Sequence, residues 1–142
     1  MRQMIVKINK EEELLYPAFG YILGVKNYSV CFEKSFDLDE IKNIRRKKLD
    51  KKIFVSLNRV IFNDELKTYK DTLKKLDNMG LDGIIVGDIA ALTYDLKTSV
   101  ILDQMHLNNS SYSIKHYFNN SVSGFVLTFC FSFSARRKAR RL

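Results

Sequence analysis

Apolar and polar positions along this chain follow two alternating periods, near 2 and near 3.6 residues, and the switches between them predict a succession of strands and helices. Residues 53–88 form the clearest unit. Ile53, Phe54, Val55, Ser56 and Leu57 read as a buried strand that ends in the polar pair Asn58 and Arg59. A helix is predicted over about 63–79, because Leu66, Tyr69, Leu73 and Leu76 fall on one face while Lys67, Lys70, Lys74 and Lys75 fall elsewhere. Gly80 supplies the left-handed residue that ends it, and the run Gly83, Ile84, Ile85 and Val86 forms the next strand, followed by Asp88. A strand, helix and strand joined by such short returns predict parallel pairing, with chemistry at the carboxyl ends of the strands.

The flanking sequence repeats the alternation. Residues 4–8 predict a first strand, with Asn9 as the N-cap of a short helix and Glu12 as its capping-box partner; Pro17 ends or kinks that helix near Tyr16. Residues 21–25 predict a second strand, and 28–32 alternate as a strand extension or a structured loop. Asp37 and Glu40 predict a capping box for a helix that turns Leu38, Ile41 and Ile44 inward. A helix over 89–96, a fifth strand over 100–103, a helix from Ser110 or Ser111 and a sixth strand over 124–127 complete the pattern. Six strands mostly separated by helices suit either an open doubly wound sheet or a (β/α)8 barrel. No Gly-rich phosphate loop follows the first strand, which favours the barrel. The expected fold is α/β, an incomplete (β/α)8 TIM-type barrel with about six parallel strands alternating with helices.

Composition adds three constraints. A chain of 142 residues, 46% of them apolar, is long and apolar enough for one domain with its own core. The net charge of +8 points to a nucleic-acid partner less than it first suggests, because Arg136, Arg137, Lys138, Arg140 and Arg141 supply five of the cations from the last seven residues. The cluster Arg45, Arg46, Lys47 and Lys48 reads as a solvated helix end complementing the helix dipole. Cys31 and Cys130 form no CxxC or Cys/His cluster, so neither a disulfide framework nor a zinc site is indicated. No signal-peptide core and no apolar run near the roughly 20 residues of a membrane span are present, which predicts a cytoplasmic protein without a membrane partner.

Candidate chemistry lies where strands end. Asn9, Glu33, Asn58, Arg59, Asp88, Asp103, His106 and Asn108 follow the first five strands, whose loops gather around one mouth in a barrel. Asp88, Asp103 and His106 are the candidate catalytic residues, as general acid and base groups. Asn58, Arg59, Asn108 and Glu33 are the candidate substrate-binding residues, Arg59 through a bidentate fork to a carboxylate or phosphate. Competing readings make the two aspartates helix caps, pair Arg59 with an acidic neighbour, and leave His106 a surface or core histidine. No serine or cysteine sits in a nucleophile motif, and no metal or other cofactor is assigned.

The segment 53–66, followed by 76–88 with its Gly-Leu-Asp-Gly-Ile-Ile-Val run, resembles the peptidase U32 family of collagenase-like proteins. The order of elements agrees, with Phe36 to Ile41 resembling the start of the second helix and Asp103 to Asn109 resembling the segment after the fifth strand. The resemblance covers about 4–127 and implies a barrel domain with peptidase activity on a peptide or protein substrate, or an inactive fragment of one. Other members take part in hydroxylation of RNA or of quinone precursors, some with an iron–sulfur cluster on four cysteines, so an RNA-interacting factor is the alternative. With two cysteines, this chain is not expected to hold such a cluster. After Leu127 the family pattern stops, so the expectation is a partial barrel over 1–128 and an aberrant or flexible basic tail over 129–142. A third reading is a non-catalytic partial barrel that forms a homo-oligomer through its open sheet edge.

Overall fold

A computed structural model describes residues 4–103 and the backbone of a strand at 122–126. It contains β1 (Ile5–Ile8), β2 (Gly20–Gly24), α1 (Leu38–Lys47), β3 (Lys52–Leu57), α2 (Leu66–Asp77), β4 (Gly83–Val86), β5 (Val100–Asp103) and β6 (Val122–Val126). The strands form one sheet in chain order, β1-β2-β3-β4-β5-β6, and every neighbouring pair is parallel. Parallel crossovers are almost always right-handed, so an unreversed order places successive connections on the same face of the sheet. A doubly wound sheet needs a reversal in strand order, and this one has none.

The two faces differ accordingly. Ile8, Tyr21, Leu23, Ile53, Val55, Leu57, Ile84, Val86 and Leu102 join the buried cluster with Ile41 and Ile44 of α1 and Tyr69, Leu73 and Leu76 of α2. Residues one position out of phase, Lys7, Ile22, Phe54 and Ile101, point to the opposite face and are only partly buried or exposed. Gly83 shares that phase, and a Cβ there would lie 2.7 Å from the Phe54 ring, so the absence of a side chain makes room for the phenyl group.

Local chemistry explains most element boundaries. Asp37 Oδ1 accepts from the Glu40 amide at 2.8 Å while Glu40 Oε2 accepts from the Asp37 amide at 2.9 Å, the predicted capping box. Gly80, at φ 67°, ends the α2 region in the left-handed conformation that the sequence pattern predicts. Two local expectations need correction, and a third resolves to one of its two alternatives. The turn after β1 is a 3-10 helix, Glu11–Leu15, capped at Lys10, and Glu13 rather than Glu12 reaches back to the Asn9 amide at 2.6 Å. Residues 28–32 are a structured loop, because Val25 bridges directly to Phe36 and leaves 28–32 without a ladder partner. Ile89–Thr93 is a 3-10 helix instead of the longer helix expected over 89–96, ending at Tyr94 in an extended conformation. Cys31, at φ 67°, is disulfide-bonded, which the spacing of the cysteines does not predict.

At the amino ends of the strands, Asp82 ties α1 and β3 to the loop before β4. It accepts from the Ile53 amide at 2.9 Å, Lys52 Nζ at 2.9 Å and Arg45 Nη1 at 3.2 Å. Burial alone would raise its pKa, but the hydrogen bonds from Lys52 and Ile53 and the nearby cations outweigh it and hold the carboxyl below 3.8. Because the folded state lowers this pKa, its stabilisation is present above the unfolded value and is lost as pH falls through the folded one. Asp82→Ala is expected to cost about 1–3 kcal/mol near neutral pH. In parallel urea titrations, the gap from the parent should narrow below about pH 4.

Tyr69 is fully buried in the core, and among the described residues its hydroxyl has no hydrogen-bond partner. Burial drives its pKa strongly upward, so the phenol stays neutral. Its ring lies 5.4 Å from that of Tyr28, a contact phenylalanine would keep. Tyr69→Phe should therefore raise the unfolding free energy by about 1 kcal/mol, read as a higher denaturation midpoint. A lower midpoint would reveal a partner for the hydroxyl.

Candidate active site

Two strand ends build the centre of the site. Asn58 is the first residue past β3, and Asp103 is the last of β5. The sheet register aligns Leu57 with Val86 and Val86 with Leu102, so one further step aligns Asn58, Gly87 and Asp103 in a row. Gly87 contributes no side chain between the other two, and Asn58 Nδ2 donates to Asp103 Oδ2 at 3.1 Å. The Val30 amide donates to Asn58 Oδ1 at 2.8 Å, which fixes the orientation of the carboxamide. Asn58 and Asp103 are each only 5% exposed.

That contact spans two strand intervals. Two strand spacings of about 4.8 Å separate β3 from β5, so the strand axes lie roughly 9.6 Å apart on a flat surface. A direct hydrogen bond over that distance needs both side chains to lean toward each other across Gly87. Lys7, on β1, belongs to the same face, and the charges of Asp103 and Glu33 both act on it. Burial lowers the Lys7 pKa below 10.5, with Asp103 and Glu33 only partly opposing it. The Lys7 Nζ lies 4.1 Å from the centroid of the Phe32 ring.

The family model described as Peptidase family U32 matches residues 18–128. The chain belongs to peptidase family U32. No curated protein and no solved structure is matched. Asn58, Gly87 and Asp103 lie inside the U32 match, whereas Lys7 precedes it.

In this U32 domain the other strand-end residues serve neighbouring positions. Asn9 Oδ1 accepts from the Glu33 amide at 3.0 Å, joining the loop after β2 to the end of β1. Arg59 directs its fork to Glu65, with Nη2 donating to Oε1 at 2.7 Å and Nη1 to Oε2 at 3.1 Å, and its Nε donates to the Asn27 carbonyl at 2.8 Å. The hydrogen bond to Glu65 raises the Arg59 pKa and lowers that of Glu65. Arg59 thus meets an acidic neighbour, the bland alternative of the sequence reading. Asp88 spans two loops, accepting from the Ile61 amide and the Ala90 amide, each at 2.9 Å. It caps the turn Ile89–Thr93 and holds the segment after β3 against the end of β4.

Of the sequence candidates, the structure therefore brings together Asn58 and Asp103, with Glu33 acting near Lys7. It places Arg59 and Asp88 in the supporting loops. His106 and Asn108 lie outside the described residues. Among the described residues, no group of three His, Cys, Asp or Glu side chains converges to hold a metal ion. Sequence reasoning missed Lys7 and Gly87. The signal for Lys7 was a single cation in the otherwise apolar strand Ile5–Ile8, and Gly87 stood unnoticed between a strand and the more conspicuous Asp88.

Proposed function

We propose that this chain is a hydrolase of peptidase type, cleaving amide bonds of a peptide substrate at the carboxyl-end face of the sheet. The observation that carries the reading is the Asn58–Asp103 pair, a carboxylate buried at a strand end and held by an oriented carboxamide. Such a carboxylate can take a proton from an attacking water, with Asn58 holding it in place. Membership of peptidase family U32 supports the reaction class. The fold we assign to it is an incomplete (β/α)8-type barrel, supported by the unreversed strand order and by the converging side chains of β1, β3 and β5. Among the described residues, no helix is long and apolar enough to cross a membrane.

Turnover of gelatin and of quenched-fluorescence peptides tests the reading, with Asp103→Asn as the comparison. Hydrolysis that survives this substitution removes Asp103 from the chemistry. Absence of hydrolysis by the parent chain removes the peptidase reading for this chain. A second reading, self-association, is favoured by Met4 and Ile5 at the start of β1, which are 57% and 43% exposed beside a strand paired only with β2 among the described strands. Light scattering at micromolar concentration separates the two, because a monomer retains the hydrolase reading alone.

A further inference from the structure

We propose that the groove between α1 and α2 is a binding site for a small phosphate ester that carries hydroxyl groups, of the size of a nucleotide or a sugar phosphate. The groove holds about 620 Å³, within the range of small-molecule sites. Leu38, Asp39, Lys42 and Arg46 of α1 form one wall, and Lys75 of α2 with Met79 just beyond it forms the other. Helical spacing explains the first wall. Asp39, Lys42 and Arg46 stand three and four residues apart on one stripe of α1, while Ile41 and Ile44 turn toward the sheet.

Some of the nearby cations are already committed. Arg45, which also lines the groove, donates to Asp82 and to the Lys51 carbonyl, and Lys47 is paired with Glu11. Among the described residues, Lys42, Arg46 and Lys75 make no ion pair within 4.0 Å. Three unpaired cations therefore line one groove against a single carboxylate, Asp39. The helix dipole of α1 does not account for them all, because Lys42 precedes its last turn and Lys75 belongs to a different helix. Their charges repel one another from opposite walls, and an anion between them turns that repulsion into attraction.

The lining also sets the class of ligand. A phosphate group brings a charge near −2 and three acceptor oxygens, which suit two lysines and the planar fork of Arg46. Leu38 and Met79, partly buried and packed against the core, offer apolar contact to the organic part of the ester. Asp39 repels a second phosphate from its end of the groove and can accept a hydrogen bond from a hydroxyl there. A long polyanion is a poorer match, because three cations neutralise few of its phosphates. The groove lies on the helical side of the sheet, whereas Asn58 and Asp103 share the phase of the opposite face, so the proposal does not depend on the hydrolase reading.

Isothermal titration calorimetry of the full chain tests this, with adenosine monophosphate, ribose phosphate, inorganic phosphate and uncharged adenosine as the probes. At least one ester should saturate a single site with a Kd in the millimolar range or tighter, inorganic phosphate should bind more weakly, and adenosine should not bind. Arg46→Ala and Lys75→Ala should each weaken the ester by about 10-fold or more, the loss expected for one charge-assisted hydrogen bond. Lys74→Ala, on the same helix but outside the groove, should leave the affinity unchanged. These side chains are exposed, and a parental thermal midpoint confirms that each variant is folded. Absence of saturable ester binding up to about 10 mM, or an affinity unchanged in the Arg46→Ala and Lys75→Ala double variant, overturns the proposal. So does binding of a short single-stranded RNA through these residues without binding of either ester, which would make the groove part of a polyanion surface. Calorimetry needs no turnover, so each outcome is separate from that of the peptidase assays.

Discussion

Asp103→Asn is expected to lower kcat for peptide hydrolysis by about 10²- to 10⁴-fold, the range associated with a positioned acid–base group. The substitution preserves the shape of the side chain. Asn58 Nδ2, now 3.1 Å from Asp103 Oδ2, can donate equally to an amide oxygen, and the Val30 amide still holds the other end of Asn58. The proton acceptor is removed while the geometry stays, so KM should change by only a few-fold and the thermal midpoint should remain close to that of the parent. Asp82→Ala supplies the opposite control, because Asp82 secures the amino ends of the strands through Ile53, Lys52 and Arg45. It should lower stability without lowering kcat of the folded fraction. A full-rate Asp103→Asn enzyme would show that the buried carboxylate is structural.

Gly87→Ala is expected to be the most disruptive single methyl addition at the site. A Cβ at Gly87 would stand 2.8 Å from the Asn58 Cα and closer still to the Asn58 carbonyl, so backbone rather than a flexible side chain must move. Overpacking of that kind costs about 1–3 kcal/mol, and more when the strands resist. The displacement also separates Asn58 from Asp103, and a misplacement near 1 Å can reduce a rate about 10²-fold. Urea denaturation and peptide turnover should therefore both report the change. Gly80→Ala is the informative comparison. Its left-handed φ of 67° imposes strain, but nothing lies within 4 Å of the added methyl, so it should lose about 1 kcal/mol and leave kcat unaltered. Equal kinetic effects at the two glycines would contradict a close-approach role for Gly87.

The family assignment gives these expectations a chemical context, while the site assignment rests on geometry. Asp88 and Asp103 look alike as aspartates after apolar runs, yet the fold treats them differently. Asp88 uses both oxygens on backbone amides of two loops, whereas Asp103 meets a side chain on another strand and lies in electrostatic reach of a third. Arg59 and Lys7 show the same contrast among cations: the first is bound by Glu65 six residues along, and the second has no such local partner among the described residues. A local partner can be anticipated from spacing. A partner on a distant strand leaves no spacing to read.

By itself the sequence determined the strands, α1 and α2, the Asp37–Glu40 capping box and the Gly80 stop, because each depends on periodicity or on contacts within a few residues. It also marked Asn58 and Asp103 as polar strand ends. Local competition altered the shorter connections, where Glu13 replaced Glu12 and a 3-10 turn replaced a helix after Asp88. Only the tertiary structure decided that Asn58 and Asp103 meet across Gly87 and that Lys7 shares their face. Strand order and register bring Asn58 and Asp103, 45 positions apart in the chain, into contact, and the side-chain pattern within one strand carries no record of its distant neighbours.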